Sequence, residues 1–266
     1  MNKNTFTTVK LQKGEVSVYD FGKIKLHAYK TEDLISDEVF ILEKDGRAVV
    51  IESPCFFDNE EALTAYVNGL NANIEGVLIA YHDAGGQFLP NVKKYATAKA
   101  KVYGEEGGGK ALIDGFQKAF GSAFDASLHK ITDVLSAGKN VIGGIEFIVN
   151  EKSEAYTIEI PEINAVYTHM LGHDCHSIVA GAGHADAIIA ELDGYIKRGF
   201  TLILTSHYTP EDLKDAQTKI DYINDLKKLA ANSGSAEEFK AAVNAKYPEY
   251  DGANYLDITA GAFFAK

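Results

Sequence analysis

The sequence is poor in cysteine, in positive charge and in long apolar runs. Two cysteines, Cys55 and Cys175, are too few for a disulfide framework and fit a reducing compartment. The 38 acidic residues outnumber the 26 basic ones, and the net charge of −12 repels phosphate backbones and anionic lipid surfaces. We therefore expect no nucleic-acid partner and no membrane partner. A small-molecule ligand is expected instead, and assembly into a homo-oligomer is left open.

No apolar run approaches the roughly 18 residues of a membrane span, and residues 1–10 are polar without a signal-peptide core. We therefore expect a cytoplasmic location. The chain has 266 residues, of which 46% are hydrophobic, so it can bury a sizeable core without disulfides. Because no linker, low-complexity stretch or shift in composition divides it, we predict a single domain over residues 1–266.

Apolar periodicity predicts an α/β protein with two strand-rich halves. The pair Asp45-Gly46 between two apolar runs is typical of a hairpin turn, since the tight loop needs positive φ. The predicted strands cover residues 16–19, 24–29, 38–42, 48–51, 76–81, 101–103, 144–149, 155–160 and 165–168. The predicted helices cover residues 59–70, 112–120 and 185–196, followed by C-terminal helices that begin at Thr209-Pro210 and at the capping box 235–238.

Three of the apolar strand-like runs end in a histidine, namely His82, His169 and His207. Strand ends in α/β sheets are where functional sites are built. Asp83 follows His82 directly, and His173 lies shortly after His169. Imidazoles beside a carboxylate suit zinc, iron or manganese, and they also suit acid–base catalysis without a metal. A single histidine of this kind is more often a surface or capping residue, but recurrence at three strand ends favours a site.

The segment 104–110 reads G-E-E-G-G-G-K, which matches a phosphate-binding loop pattern. Ala111 stands where the pattern requires a magnesium-binding hydroxyl, and Glu105 and Glu106 would repel a triphosphate. We therefore predict a flexible surface loop here rather than a nucleotide site.

The order of these pieces resembles the metallo-β-lactamase fold superfamily from about Gly14 to Lys228. The resemblance is carried by the hairpin that ends in Val50-Ile51-Glu52-Ser53, by residues 81–86, by the strand pair at 144–147 and 156–161, and by residues 205–208. It implies an αββα sandwich of two mixed sheets flanked by helices, with extra C-terminal helices from about residue 210. It also implies a metal site at one edge between the sheets, and members are mostly metal-dependent hydrolases.

The sequence departs from the family's central motif, His-x-His-x-Asp-His-x-Gly-Gly. When the motif is anchored on Gly85-Gly86, Leu78 and Ala80 fall at its first two histidines, His82 at its aspartate and Asp83 at its third histidine. Residues 150–155 contain no histidine where the family has one, Thr168-His169 displaces the bridging aspartate, and His207 matches the final histidine. We therefore expect no two-metal site. A rebuilt site would hold at most one divalent metal, zinc or alternatively iron or manganese, with ligands from His82, Asp83 and His207 and a further one from His169, His173 or Asp174.

Two hypotheses of function follow. In the first, the chain is hydrolase-like and acts on a small molecule of unknown identity, and a bound metal polarises a carbonyl or phosphoryl bond and activates water. Asp83 is then a ligand or the catalytic base. In the second, the chain is a non-catalytic binding or assembly protein on the same fold, and its histidines are structural. Whether the chain is an enzyme is left open, and its metal content separates the two hypotheses.

Overall fold

The structure is a computed structural model that describes residues 2–265, with thirteen strands and seven helices. The strands are β1 (Thr7–Lys10), β2 (Glu15–Asp20), β3 (Lys25–Lys30), β4 (Glu38–Lys44), β5 (Arg47–Ile51), β6 (Asn73–Leu78), β7 (Lys94–Ala96), β8 (Asp133–Val134), β9 (Gly138–Ile142), β10 (Ile145–Glu151), β11 (Tyr156–Ile160), β12 (Ala165–Leu171) and β13 (Leu202–Glu211). The helices are α1 (Phe57–Gly69), α2 (Ala98–Glu106), α3 (Gly108–Phe120), α4 (Ala182–Arg198), α5 (Leu213–Ala231), α6 (Ala236–Lys246) and α7 (Ala253–Phe264). Among the described residues, none of these helices combines the length and the apolar character needed to cross a membrane.

The chain forms two compact units. The first runs to Met170 and also contains Thr201–Pro210, while the second consists of Leu171–Phe200 and the chain from Glu211 onwards. Both sheets belong to the first unit, apart from the last residues of β12 and β13. That the whole chain behaves as one domain stays a prediction.

The larger sheet contains β1 to β8 in chain order. Strands β1 to β5 pair antiparallel, and β5 to β8 pair parallel, so the sheet is mixed. The hairpin between β4 and β5 turns at Asp45 and Gly46, with φ of 49° and 71°. Positive φ at both central residues is what a two-residue hairpin requires, and the sequence prediction is confirmed here.

Side-chain alternation along the larger sheet buries both of its faces. Phe40 and Leu42 of β4 share a core with the smaller sheet, to which Phe147 contributes. Val39 and Ile41 point the other way and pack in a second core that includes Leu63 of α1. Because successive side chains of a strand face opposite sides, one strand supplies both cores. The larger sheet is therefore a central layer between a helix and a second sheet.

The smaller sheet has the order β13-β12-β11-β10-β9, and β9 to β12 pair antiparallel. Its strands β10, β11 and β12 lie where alternation in the sequence predicts strands. β12 and β13 are neighbours, so His169 and His207, which lie within them rather than at their ends, come from adjacent strands.

The second unit is helical, and α5 and α6 begin at polar caps. Ser235 accepts a hydrogen bond from the backbone of Glu238, as its sequence pattern predicts. The predicted helix start at Thr209-Pro210 is wrong, because these residues continue β13. Asp212 caps α5 instead, in a reciprocal capping box with Asp215.

Two predictions near residue 100 are wrong. The predicted strand 101–103 lies inside α2, which begins after Thr97, whose side chain accepts a hydrogen bond from the backbone of Ala100. The predicted surface loop 104–110 is helical apart from Gly107, which separates α2 from α3. Gly104 is required by close packing, since a Cβ there would lie 2.3 Å from a carboxylate oxygen of Asp83.

Candidate metal centre

Three of the five predicted site residues converge in the first unit. His82 follows β6, while His169 and His207 lie on the neighbouring strands β12 and β13. One ring nitrogen from each of the three lies within 4.8 Å of the others, and the Nε2 atoms of His169 and His207 are 3.1 Å apart. We name His82, His169 and His207 the histidine triad. Nitrogen atoms gathered this closely are a ligand set for a transition metal.

Glu52 holds the backbone that carries His82. It follows β5, is fully buried and has a φ of 65°. Its carboxylate accepts hydrogen bonds from the backbone N–H groups of Tyr81 (2.9 Å) and His82 (3.1 Å), and from the hydroxyl of Tyr167 (2.6 Å). Since β5 and β6 are parallel, their carboxyl ends share one edge of the sheet, which brings Glu52 and His82 together.

Asp37 lies behind two of the three imidazoles, immediately before β4. Its Oδ1 is 3.2 Å from His207 Nδ1 and 3.8 Å from His82 Nδ1, and its Oδ2 accepts a hydrogen bond from the thiol of Cys55. Burial acts to raise the pKa of Asp37, but the charges of His82 and His207 outweigh burial and hold the pKa below its ordinary value. The carboxylate is therefore the ionised partner of these two imidazoles.

His169 is the triad member whose pKa is lowered. Burial and the neighbouring charges of His207 and His82 hold its pKa well below the ordinary value. Burial acts to lower the pKa of His207 as well, but the neighbouring charge of Asp37 and the hydrogen bond with Ile35 O outweigh it, and that pKa is raised. The ring of Tyr81 stacks on His169 with centroids 3.9 Å apart and planes 13° apart. Stacking fixes the orientation of a ring whose nitrogen lone pair is free to bind a metal.

Asp83 is not part of the triad. Its side chain is buried, and neither carboxylate oxygen has a hydrogen-bond partner among the described residues. Burial, with added repulsion from Glu105 and Glu52, raises the pKa of Asp83 to about 7. The predicted roles of Asp83 as ligand or base stay predictions.

His173 lies in the second unit. Its Nδ1 is 2.8 Å from Glu211 Oε1, and its Nε2 is 3.5 Å from Asp215 Oδ1. The hydrogen bond with Glu211 raises the pKa of His173. Its predicted role as a metal ligand stays a prediction.

Sequence reasoning missed the two acidic residues that support the triad, Asp37 and Glu52. Both directly flank buried strands, Asp37 before β4 and Glu52 after β5. A carboxylate at the boundary of a buried strand is the signal that could have identified them. Leu78 and Ala80, which stand at two family ligand positions, are buried in the core between the sheets.

No protein-family model matches the sequence, and no curated protein does either. Solved structures do match. A metallo-beta-lactamase family protein from Thermus thermophilus has a TM-score of 0.63 at 12% identity, over 92% of this chain and 93% of that one. A metallo-beta-lactamase from Erythrobacter litoralis has a TM-score of 0.57 at 11% identity, over 82% of this chain and 100% of that one.

The stereoselective inverting sec-alkylsulfatase Pisa1 from Pseudomonas sp. has a TM-score of 0.61 at 16% identity, over 90% of this chain. This chain spans only 49% of the length of that sulfatase. These likenesses show that the chain has the metallo-β-lactamase fold, so the predicted fold class is confirmed. Its structural neighbours are hydrolases of that fold.

Proposed function

We propose that this chain is a hydrolase-like protein that binds one divalent metal ion through the histidine triad. The observation that carries the proposal is the convergence of three imidazoles, one from the loop after β6 and two from within the neighbouring strands β12 and β13, with a buried carboxylate behind two of them. An all-imidazole set suits zinc or iron better than manganese, which prefers oxygen ligands. Three protein ligands also leave a coordination position free, as catalytic zinc sites do.

The proposal is limited to one metal by the surrounding residues. Leu78 and Ala80 offer no ligand atoms and are packed in the core. Within residues 2–265, the triad is the only group of three His, Cys, Asp or Glu side chains close enough to share an ion. A second ion would therefore lack a comparable set of ligands.

A bound metal ion would supply Lewis-acid polarisation of a scissile carbonyl, phosphoryl or sulfuryl bond. The chain's own residues supply the rest of the site. Glu52 and Asp37 orient two of the ligands, and Tyr81 covers one face of His169. Asp83 is the proposed general base, because it follows His82 directly and both of its oxygens lack partners among the described residues. A small-molecule substrate and a cytoplasmic location complete the proposal.

Metal analysis of purified variants tests this function. The protein is stripped with a chelator, dialysed against zinc and analysed by mass spectrometry for metal per chain. We expect about one equivalent in the unmodified chain and a loss of at least about tenfold in affinity for His82→Ala, His169→Ala and His207→Ala, since each removes a ligand. His184→Ala is the matched control, because it removes an exposed imidazole from α4. Equal zinc affinity in all four variants would contradict the proposal.

The same zinc-affinity assay tests whether Asp83 and His173 are ligands. If Asp83→Asn binds zinc with unchanged affinity, Asp83 is not a ligand. If this variant also hydrolyses a substrate at an unchanged rate, Asp83 is not the base. His173→Ala with unchanged affinity would remove His173. A fall in affinity for either would add that residue to the site.

One observation favours the second hypothesis, a non-catalytic binding or assembly protein. The 3.1 Å contact between His169 and His207, together with the contact of His207 with Asp37, lets the rings form a hydrogen-bonded network of their own. Such a network needs no ion. Zinc content near zero, with no hydrolysis of a panel of esters, lactams, phosphoesters and sulfate esters, would support this alternative.

A further inference from the structure

We propose that Asp37 is a shared positioning residue, one buried carboxylate that sets the ring tautomer of both His82 and His207 so that each presents Nε2 to a metal. The proposal rests on the proposed function of the triad. It concerns a residue outside the ligand set, and it makes a statement about the metal-free protein that can be tested separately.

The geometry places one carboxylate oxygen between two imidazoles. His207 Nδ1 forms a hydrogen bond with the carbonyl oxygen of Ile35 at 3.2 Å, and it also lies 3.2 Å from Asp37 Oδ1, which has no hydrogen-bond partner among the described residues. His82 Nδ1 lies 3.8 Å from the same Oδ1, and it has no hydrogen-bond partner among the described residues. Both rings therefore turn Nδ1 towards Asp37.

This orientation decides which nitrogen is free. A neutral imidazole carries one N–H, and a carboxylate or carbonyl can only accept a hydrogen bond. With acceptors at Nδ1, the proton belongs on Nδ1, and Nε2 keeps its lone pair. His207 Nε2 is also the atom that lies 3.1 Å from His169 Nε2, which is where the triad converges. Outer carboxylates that fix a ligand ring in this manner raise metal affinity.

The local fold holds Asp37 in one orientation. The backbone N–H and hydroxyl of Thr31 donate to Asp37 O at 3.2 and 2.8 Å, and Asp37 N–H donates to Asp33 Oδ1 at 3.3 Å. The thiol of Cys55 donates to Asp37 Oδ2 at 3.2 Å. Since Oδ2 already accepts a hydrogen bond from the thiol, Oδ1 is the oxygen left for the imidazoles. The side chain is fully buried, so water does not replace these partners.

A carboxylate–imidazole pair elsewhere in the same sheet supplies a matched control. Glu43 Oε2 lies 3.2 Å from His27 Nε2, on strands β4 and β3, and neither residue belongs to the triad. Glu43→Gln therefore makes the same chemical change as Asp37→Asn, but at a pair outside the histidine triad.

The test is ¹⁵N NMR of the histidine rings in the metal-free full-length protein at pH 9, combined with zinc affinity by chelator competition. In the unmodified chain we expect both His82 and His207 as Nδ1–H tautomers. Asp37→Asn should shift at least one ring towards Nε2–H, because the amide can donate to Nδ1, and should weaken zinc binding by about 10- to 100-fold. Glu43→Gln should leave the triad tautomers unchanged and zinc affinity within about twofold.

Three results would overturn the proposal. The first is an Nε2–H tautomer at both rings of the unmodified protein, a measurement that does not depend on any variant folding. The second is unchanged tautomers and unchanged zinc affinity in Asp37→Asn. The third is an equal loss of affinity in Glu43→Gln. If the unmodified chain binds no zinc but shows both Nδ1–H tautomers that change in Asp37→Asn, the proposed metal function fails while the positioning role of Asp37 stands.

Discussion

Glu52→Gln should destabilise the protein and loosen His82 at the same time. The Glu52 carboxylate accepts three hydrogen bonds in a fully buried position, with Tyr81 N–H and Tyr167 O–H on Oε1 and His82 N–H on Oε2. Glutamine has one acceptor oxygen. If that oxygen occupies the Oε1 position, two hydrogen bonds survive, and the amide NH₂ faces the N–H of His82, donor against donor.

The size of the destabilisation follows from the interactions that are lost. Losing a hydrogen bond to a charged group and leaving one buried N–H without an acceptor each cost up to about 3 kcal/mol. We therefore expect the free energy of unfolding to fall by about 2 to 4 kcal/mol. Because His82 is the residue released, zinc affinity should fall by about tenfold or more, as for other residues that orient ligands.

Urea unfolding followed by tyrosine fluorescence measures the stability, since the chain has fourteen tyrosines and no tryptophan. Chelator competition measures the zinc affinity, and Glu43→Gln is the control because its carboxylate contacts a histidine outside the triad. A change below about 0.5 kcal/mol with unaltered zinc affinity would refute the assignment of Glu52 as the support of His82.

Two further predictions concern stability and pH. The hydrogen bond with Glu211 raises the folded pKa of His173 above 6.5, so its stabilisation is complete below pH 6.5 and is lost as pH rises through the folded pKa. His173→Gln should therefore cost about 1 to 2 kcal/mol at pH 6 and much less at pH 9, and equal costs at both would contradict this. Burial and repulsion by Asp125 raise the pKa of Glu60 from 4.5 to about 8, so its contribution is complete below pH 4.5 and is lost as pH rises towards 8. Glu60→Gln should change stability little near pH 5 and increase it by about 1 to 3 kcal/mol near pH 9, and urea unfolding that shows no such gain would contradict this.

Local patterns predict the parts of the fold that local interactions determine. The hairpin of β4 and β5 depends on a two-residue turn and on alternating apolar residues, and both are visible in the sequence. The strand predicted at 101–103 is wrong because a short apolar pair fits either element. Val102 is 56% exposed on α2, so no burial supports a strand there. The cap at Thr97, three residues before Ala100, was the local signal for a helix.

The candidate site likewise contains residues that the sequence predicts and residues that it does not. His82, His169 and His207 were predictable because each closes an apolar run, although His169 and His207 lie within β12 and β13 rather than at their ends. Asp37 and Glu52 were not predictable in their roles, because which carboxylate faces an imidazole depends on how distant strands pair. His173 is close in sequence to His169, but the chain passes into the second unit at Leu171.

Anomalous X-ray diffraction at the zinc absorption edge, from crystals grown with zinc, tests whether the histidine triad holds one metal ion. We expect one anomalous peak per chain, about 2.0 to 2.1 Å from the Nε2 atoms of His82, His169 and His207. The same crystals would show the Nδ1 atoms of His82 and His207 facing Asp37. No peak at the triad, or two peaks of equal height there, would contradict the proposal that the triad binds one metal ion.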